Sequence, residues 1–523
     1  MLTLKKSKEE LAAQAFKECT SAETAVHPGG GPGRPYWNAR SSHFMYVPSF
    51  QFPWIPDDGK YRYTCEDENG KLYKFETLDP SASLEPIWRD IPDGIVKMRV
   101  TDLNEDGSDK YLVGARTFFK ASPFPADLPP AARSYREAAM KGFEYMLNEP
   151  FMKYWKEHGA PDPTYNLNVY PSKMISAIIK AMRTLADFAP EKENDAREIA
   201  LAAADYLLSI FYPEGSALAG LPPTYYIDFR ENPEKYNNMT ADDRKDTLMT
   251  IYPADVATAF LSLYDWVGEK RFYDAAYRIA CYYRDHVLPN GSWPLIISVE
   301  TGEARSANCV LPTREIVPLM MNFYNRTGDE IWKQIADNGL AYDEETVVKP
   351  FNFEGQFEDS VLSANYSNLS HIPADALADY YFTHYADDPK RMVTAIDMVR
   401  FAEDQFVLWK KAPSWHINSF DTSKWFLPAA LEQYNWYVPI DASNSLLSRT
   451  FLSLYRATGD ELALAKSMAL ADQITRMQLD NGMIPTHWMD QSCIDCPDYF
   501  WINCHISSVI TLANLSSFIG EDD

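Results

Sequence analysis

The sequence predicts a mostly α chain in which six helical hairpins close into a ring behind a small β-sandwich. Three features carry that expectation. First, a turn recurs. "LSLYDWVGEKRF" (261–272), "MNFYNRTGDEIW" (321–332) and "LSLYRATGDELA" (452–463) each place a Tyr four residues before a Gly, at Tyr264, Tyr324 and Tyr455. "FTHYADDPKRMV" (382–393) is a degenerate copy with Tyr385 before Asp-Asp-Pro, and "RTLADFAPEKENDARE" (183–198) is a looser one. Second, Pro recurs near helix starts, in "VYPSKMISAI", "IYPADVATAF", "VLPTREIVPL", "HIPADALADY" and "VPIDASNSLL". Pro suits the first helical turn, where its missing N–H costs nothing. Third, strand-like alternation of aromatic and β-branched residues is confined to the first 120 residues.

In chain order, residues 1–36 read as a polar N-terminal helix and a loop. The loop "HPGGGPGRPYW" lacks the Lys-Ser/Thr and the preceding strand of a phosphate-binding turn. Residues 37–122 hold "HFMYVPSFQF", "YRYTCEDENGKLYKFET", "GIVKMRVTDL" and "KYLVGARTFFK". With a hairpin turn at 66–70, they look like a small fibronectin- or immunoglobulin-type β-sandwich. "DLNEDG" (102–107) matches the first half of a calcium loop, but its twelfth position is Val113 rather than Glu, so a plain turn is expected. The Pro-rich stretch 123–133 reads as a stiff linker.

Residues 134–523 then carry the ring. Five inner helices begin at Pro171, Pro253, Pro312, Pro373 and Pro439, and a sixth begins near His505. Their partners run over about 134–150, 192–211, 271–287, 329–342, 389–409 and 461–478. Successive turns lie about 60 to 75 residues apart, too long for a simple solenoid repeat. Twelve helices whose first is left to pair with the last make a closed ring.

Composition bounds the function. A formal net charge of −25 and a pI near 4.8 argue against nucleic acid and anionic membrane as partners. The N-terminus shows no apolar signal stretch and no window approaches 18 apolar residues, so a cytoplasmic chain with no membrane partner is expected. Seven Cys at scattered spacing fit reduced thiols. "CIDC" (493–496) is half of a zinc site without its partner pair, so no metal and no cofactor are expected.

With its hairpin count, its "NGSWP" and "NGMIP" loops and its Pro-started helices, the span 134–520 resembles the (α/α)6 toroid of many glycoside hydrolases and polysaccharide lyases. More loosely, it looks like unsaturated glucuronyl hydrolases and the β-glucuronidases of glycoside hydrolase family 154. The resemblance implies a glycoside hydrolase acting on uronic-acid oligosaccharides through carboxylate acid/base chemistry.

The ring places the site at the end joined by long loops, 213–251, 288–312, 343–372, 410–439 and 479–504, since loops of that length are usually functional. Inner-helix N-termini also meet there and favour an anionic sugar. Glycoside hydrolysis needs one protonated and one ionised carboxyl. Carboxylates two to four residues after each Pro offer Asp255, Glu315, Asp375 and Asp441; by the resemblance, the first three become catalytic candidates. Glu358 and Asp359, with Glu354 beside them, offer a second constellation, and Glu432 a third. Trp415, Trp436, Trp488 and Tyr366 are the expected sugar walls, with His371, His416 and His487 among them. Arg230, Arg305, Arg314 and Lys424 are candidates for the substrate carboxylate. Two other readings stay open. A lyase would use Tyr366 with His371, or His416 with Asn435, to abstract a proton and neutralise the uronate. A sugar epimerase or glycan-binding protein would keep the aromatics and lose the acid pair.

Overall fold

A computed structural model describes residues 3–26, 41–52, 59–225, 246–305, 311–353, 370–413, 421–433, 436–495 and 500–521. Glu354, Glu358, Asp359, Tyr366, Arg230, Trp415, His416, Asn435 and Cys496 lie outside them. The side chain of Trp436 does too.

The N-terminal helix α1 (Lys8–Cys19) is followed by strands β1 (His43–Phe44), β2 (Tyr61–Glu66) and β3 (Leu72–Thr77), the short helix α2 (Glu85–Trp88), and strands β4 (Gly94–Leu103) and β5 (Asp109–Lys120). The strands form one sheet in the order β1-β5-β4-β2-β3. A sandwich was expected, and among the described residues no second sheet faces this one. The alternation that suggested it is real: Tyr61, Tyr63, Cys65, Val96, Met98 and Val100 are buried on one face. That face is covered instead by rings from β1, the segment after it and α2. Phe44, Phe50 and Trp88 lie 5.6, 5.7 and 6.0 Å from Phe118.

The ring follows. Its outer helices are α3 (Tyr135–Asn148), α6 (Glu193–Ser209), α8 (Lys270–Asp285), α10 (Glu330–Asp343), α12 (Pro389–Phe406) and α14 (Glu461–Met477). A short α4 (Pro150–His158) follows α3. The inner helices are α5 (Pro171–Phe188), α7 (Ile251–Val267), α9 (Pro312–Thr327), α11 (Ile372–His384), α13 (Asp441–Thr458) and, after α15 (Gln491–Ile494), α16 (Ile502–Ile519). Each inner helix touches the next, and α16 returns to α5, closing the ring; α3 pairs with α16, joining the first ring helix to the last.

The recurring turn of the sequence is a helix stop followed by a helix start. Gly268, Gly328 and Gly459 sit at φ +75°, +69° and +72°, and their N–H groups donate to the carbonyls of Tyr264, Tyr324 and Tyr455. This is the left-handed C-terminal cap that Gly adopts without strain. At two of the three turns the acid that follows caps the next outer helix: Asp329 accepts from the Ile331 N–H and Asp460 from the Leu462 N–H, each at 3.1 Å, while Glu269 makes no such side-chain bond.

The long-loop end carries two small sheets, β6 (Thr247–Met249) with β7 (Ile296–Ser298), and β8 (Val407–Leu408), β9 (Ala429–Gln433) and β10 (Trp436–Pro439). These loop strands are not predicted by the sequence reading. Nor is the apolarity of α16, which is long and apolar enough to cross a membrane. It is an inner helix of the ring, with 67% of that stretch buried.

A buried network ties the N-terminal region to the ring. Asp404 on α12 accepts from the Met45 and Tyr46 N–H groups at 2.5 and 2.8 Å. Beside it, Glu403 pairs with Lys466 of α14 at 2.7 Å, with side chains 1% and 5% exposed. Glu403 also accepts from the Tyr46 hydroxyl and the Trp409 Nε1, each at 2.9 Å.

Candidate active site

The inner helices present one face to the axis of the ring. On α5 these positions are Lys173, Ser176, Ala177 and Lys180, a spacing of i, i+3, i+4 and i+7 that keeps one side of a helix in register. They line a cavity of about 630 Å³ together with Tyr252 and Asp255 from α7, Arg314 and Glu315 from α9, and Ser443 and Arg449 from α13. Glu432, Gln433, His487, Trp501 and Asn503 line it from the long-loop end. A second cavity of about 900 Å³ shares Arg314, Glu315 and Arg449 and extends past Asp375 and Asp379 to Arg456 and Phe518, towards the short-turn end. The ring is therefore hollow along its axis, with Glu315 and Arg449 where the two spaces meet.

Two of the expected carboxylates face each other's fields here. Asp255 is salt-bridged to Lys180 and accepts from the Ser176 hydroxyl. Glu315 is half-buried and lines both cavities. Burial, followed by the charge of Asp255, pushes its carboxyl up to about 7, against the opposing pull of Lys180 and Arg314. Burial weakens the Lys180 ammonium, but Asp255 and Glu315 outweigh it and the net shift is upward.

Asp375 stands apart from this pair. It faces the second cavity, and its Oδ2 is 2.5 Å from Nδ1 of the fully buried His371. Burial raises its carboxyl; the His371 ring opposes the rise. His371 turns its other nitrogen to the Ser443 hydroxyl at 3.1 Å, so it reaches the first cavity only through that serine.

Of the remaining candidates, Arg314, Glu432 and His487 line the first cavity. Burial lowers the His487 ring to about 4, leaving a neutral imidazole at the rim. Trp488 is not a sugar wall. It is fully buried, with its Nε1 donating to the Pro485 carbonyl at 2.8 Å, because the chain turns it into the core beside β10. Arg305 is exposed and within reach of the Ser298 hydroxyl at 3.3 Å, away from the cavity. Lys424 is exposed and 3.6 Å from Asp421. Asp441 is consumed at the start of its own helix, accepting from the Ala442 N–H at 2.7 Å and the Ser508 hydroxyl at 3.1 Å.

Sequence reasoning missed several groups. Arg449 donates to Thr511 Oγ1 at 2.8 Å and the Ser507 carbonyl at 3.2 Å, both neutral, and no carboxylate among the described residues forms an ion pair with it. Trp501 supplies an aromatic wall, with the Lys173 ammonium 5.1 Å from its ring centre. The amide oxygens of Gln433 and Asn503 are buried without a hydrogen-bond donor among the described residues. Each belongs to a residue lining the cavity, where a sugar hydroxyl could serve them. Among the described residues no cluster of His, Cys, Asp and Glu is arranged to hold a metal ion.

No family model matches the sequence, and no curated protein does. Solved structures similar to the chain include a family 76 glycoside hydrolase from a bovine Bacteroides thetaiotaomicron strain, at 10% identity, 90% of this chain, 95% of that one and a TM-score of 0.48. A cellobiose 2-epimerase from Bacillus thermoamylovorans is similar at 14% identity, 72% of this chain, 98% of that one and a TM-score of 0.48. An unsaturated glucuronyl hydrolase from Streptococcus agalactiae is similar at 11% identity, 73% of this chain, 91% of that one and a TM-score of 0.46.

Proposed function

We propose that the protein is a carbohydrate-processing enzyme that hydrolyses uronic-acid-containing glycosides in the axial cavity. The observation that carries this reading is the Asp255–Glu315 pair: one carboxyl salt-bridged to Lys180, the other pushed up to about 7 and so available as a proton donor near neutral pH. Glu315 acts as the general acid on the glycosidic oxygen. Asp255 is the charged partner, either receiving a proton from the attacking water or stabilising the positive charge that develops on the sugar ring. Arg449, with Arg314 near it, takes the uronate carboxylate. Trp501 and Tyr252 supply apolar ring surface, and Gln433 and Asn503 accept from hydroxyls.

A second reading has its own observation. Tyr252, Asn503 and Arg449 line the same space, and a lyase needs a Tyr base together with an Asn or Arg to neutralise the carboxylate. Incubation with uronic-acid oligosaccharides separates the two. New reducing ends without ultraviolet absorbance support hydrolysis. New absorbance from a carbon–carbon double bond supports elimination and overturns the first reading. Absence of either product across glucuronate, galacturonate and mannuronate oligomers removes the uronide assignment.

A further inference from the structure

Three side chains between the two cavities form a chain that the glycosidic reading does not use. Asp375 Oδ2 lies 2.5 Å from His371 Nδ1, and His371 Nε2 lies 3.1 Å from Ser443 Oγ. With Nδ1 protonated and donating to the carboxylate, Nε2 is left as the acceptor for the serine hydroxyl. The imidazole is fully buried and packed against Phe406, 5.4 Å between ring centres. Ser443 is 2% exposed and lines the first cavity. It sits in the first turn of α13, an 18-residue helix whose N-terminus carries partial positive charge. In that turn the Asp441, Ala442 and Asn444 N–H groups donate to the Thr486 carbonyl, the Asp441 carboxylate and the Ile440 carbonyl. The Ser443 N–H has no acceptor among the described residues.

We infer that Ser443, His371 and Asp375 form a second catalytic centre in the same cavity, one that cleaves carboxylic esters carried by the bound glycan. The order acid–imidazole–hydroxyl, with the hydroxyl on a cavity wall and a free N–H beside it, is what acyl transfer requires. The Ser443 Oγ adds to the ester carbonyl carbon as its proton passes to His371 Nε2. The carbonyl oxygen takes up negative charge against the Ser443 N–H and the helix N-terminus. The ester C–O bond breaks, the alcohol oxygen leaves with the proton from Nε2, and the acyl group stays on Oγ. Water then gives one proton to Nε2 and adds to the acyl carbon. The carboxylic acid departs and the serine recovers its proton. Asp375 touches no reacting atom; it is a positioning residue that holds the imidazole tautomer. One carbonyl chemistry serves two sources, an O-acetyl group on a sugar hydroxyl or a methyl ester of the uronate.

The test uses the full-length protein and a fluorophosphonate probe, followed by peptide mapping. Stoichiometric modification of Ser443 is expected, with none in a folded Ser443→Ala variant. Release of acetate from O-acetylated glucuronate oligomers, or of methanol from methyl-esterified ones, is measured in parallel and identifies the source. Asp375→Asn should lower the ester kcat at least about 100-fold with KM little changed. Neither readout depends on glycosidic cleavage, so it can fail while Asp255 and Glu315 still act, or hold if they do not. Wild-type protein that leaves Ser443 unlabelled and releases neither acetate nor methanol would overturn the inference. So would a folded Ser443→Ala variant that cleaves esters like wild type.

Discussion

Replacing Lys466 by Met should be among the most damaging single changes outside the site. Lys466 Nζ and Glu403 Oε2 are 2.7 Å apart in a site that leaves 5% and 1% of the side chains exposed. Without the ammonium, Glu403 keeps the Tyr46 hydroxyl and the Trp409 Nε1 as donors but loses its only cationic partner among the described residues. Removing one member of a buried pair costs about 3–5 kcal/mol, since the other charge stays out of water. That is a change of about 10²–10⁴ in the unfolding equilibrium. Glu403→Gln should be comparably harmful, because it strands the ammonium. The double variant removes both charges, and Met in place of Lys keeps most of the volume, so it should recover most of the loss. The assay is urea denaturation of the three variants and wild type, followed by tryptophan fluorescence. Single variants within 1 kcal/mol of wild type, or a double variant as unstable as the two single losses together, would refute the argument that this pair anchors Tyr46 and the N-terminal sheet to the ring.

Further outcomes follow from other parts of the molecule. Gly482→Ala should destabilise the protein by at least about 1–3 kcal/mol in the same assay; Gly482 has φ +94° and a Cβ there would meet the Lys141 carbonyl oxygen at 2.2 Å. Stability should fall as pH rises from 6.5 to 8.5. Asp343, Asp404 and Glu315 are raised to about 8, 7 and 7, chiefly by burial, so the folded chain holds protons that the unfolded chain has released. Their contribution is fully present below the unfolded carboxylate range and is lost as pH passes these raised values. Melting temperature against pH measures it. Arg449→Met should raise KM for a uronide at least about tenfold and leave a neutral glycoside analogue nearly unaffected, read from paired steady-state kinetics.

The architecture was legible because its punctuation is chemical. A Gly in the left-handed cap four residues after a Tyr closes three of the inner helices, at Gly268, Gly328 and Gly459, and after the last two an Asp caps the next outer helix. Pro marks the inner starts: α5 and α9 begin on Pro171 and Pro312, while Pro253, Pro373 and Pro439 lie within two residues of theirs. The sheet was harder. Alternation reports one buried face but not what covers it, and here the cover is Phe44, Phe50 and Trp88 rather than a second sheet. At the site, the rule of looking near inner-helix starts located Asp255 and Glu315. It stopped one turn short of Lys180 and two short of Arg449, which share the axial face by helical periodicity. Trp488 was chosen for its loop and Trp501 passed over, although both stand in 479–504. Only the packing decides which ring turns inward to the core and which to the cavity.

The proposed function turns on Glu315 as the proton donor of the axial cavity. The direct measurement is the pH profile of kcat/KM on a uronic-acid disaccharide, for wild type and Glu315→Gln. Wild type should lose activity above a pKa near 7. Glu315→Gln should lose about 10²–10⁴-fold in turnover and show no such limb, with activity partly restored on an aryl uronide whose leaving group needs no proton. Glu315→Gln turning over the disaccharide at the wild-type rate, with the alkaline limb unchanged, would contradict it.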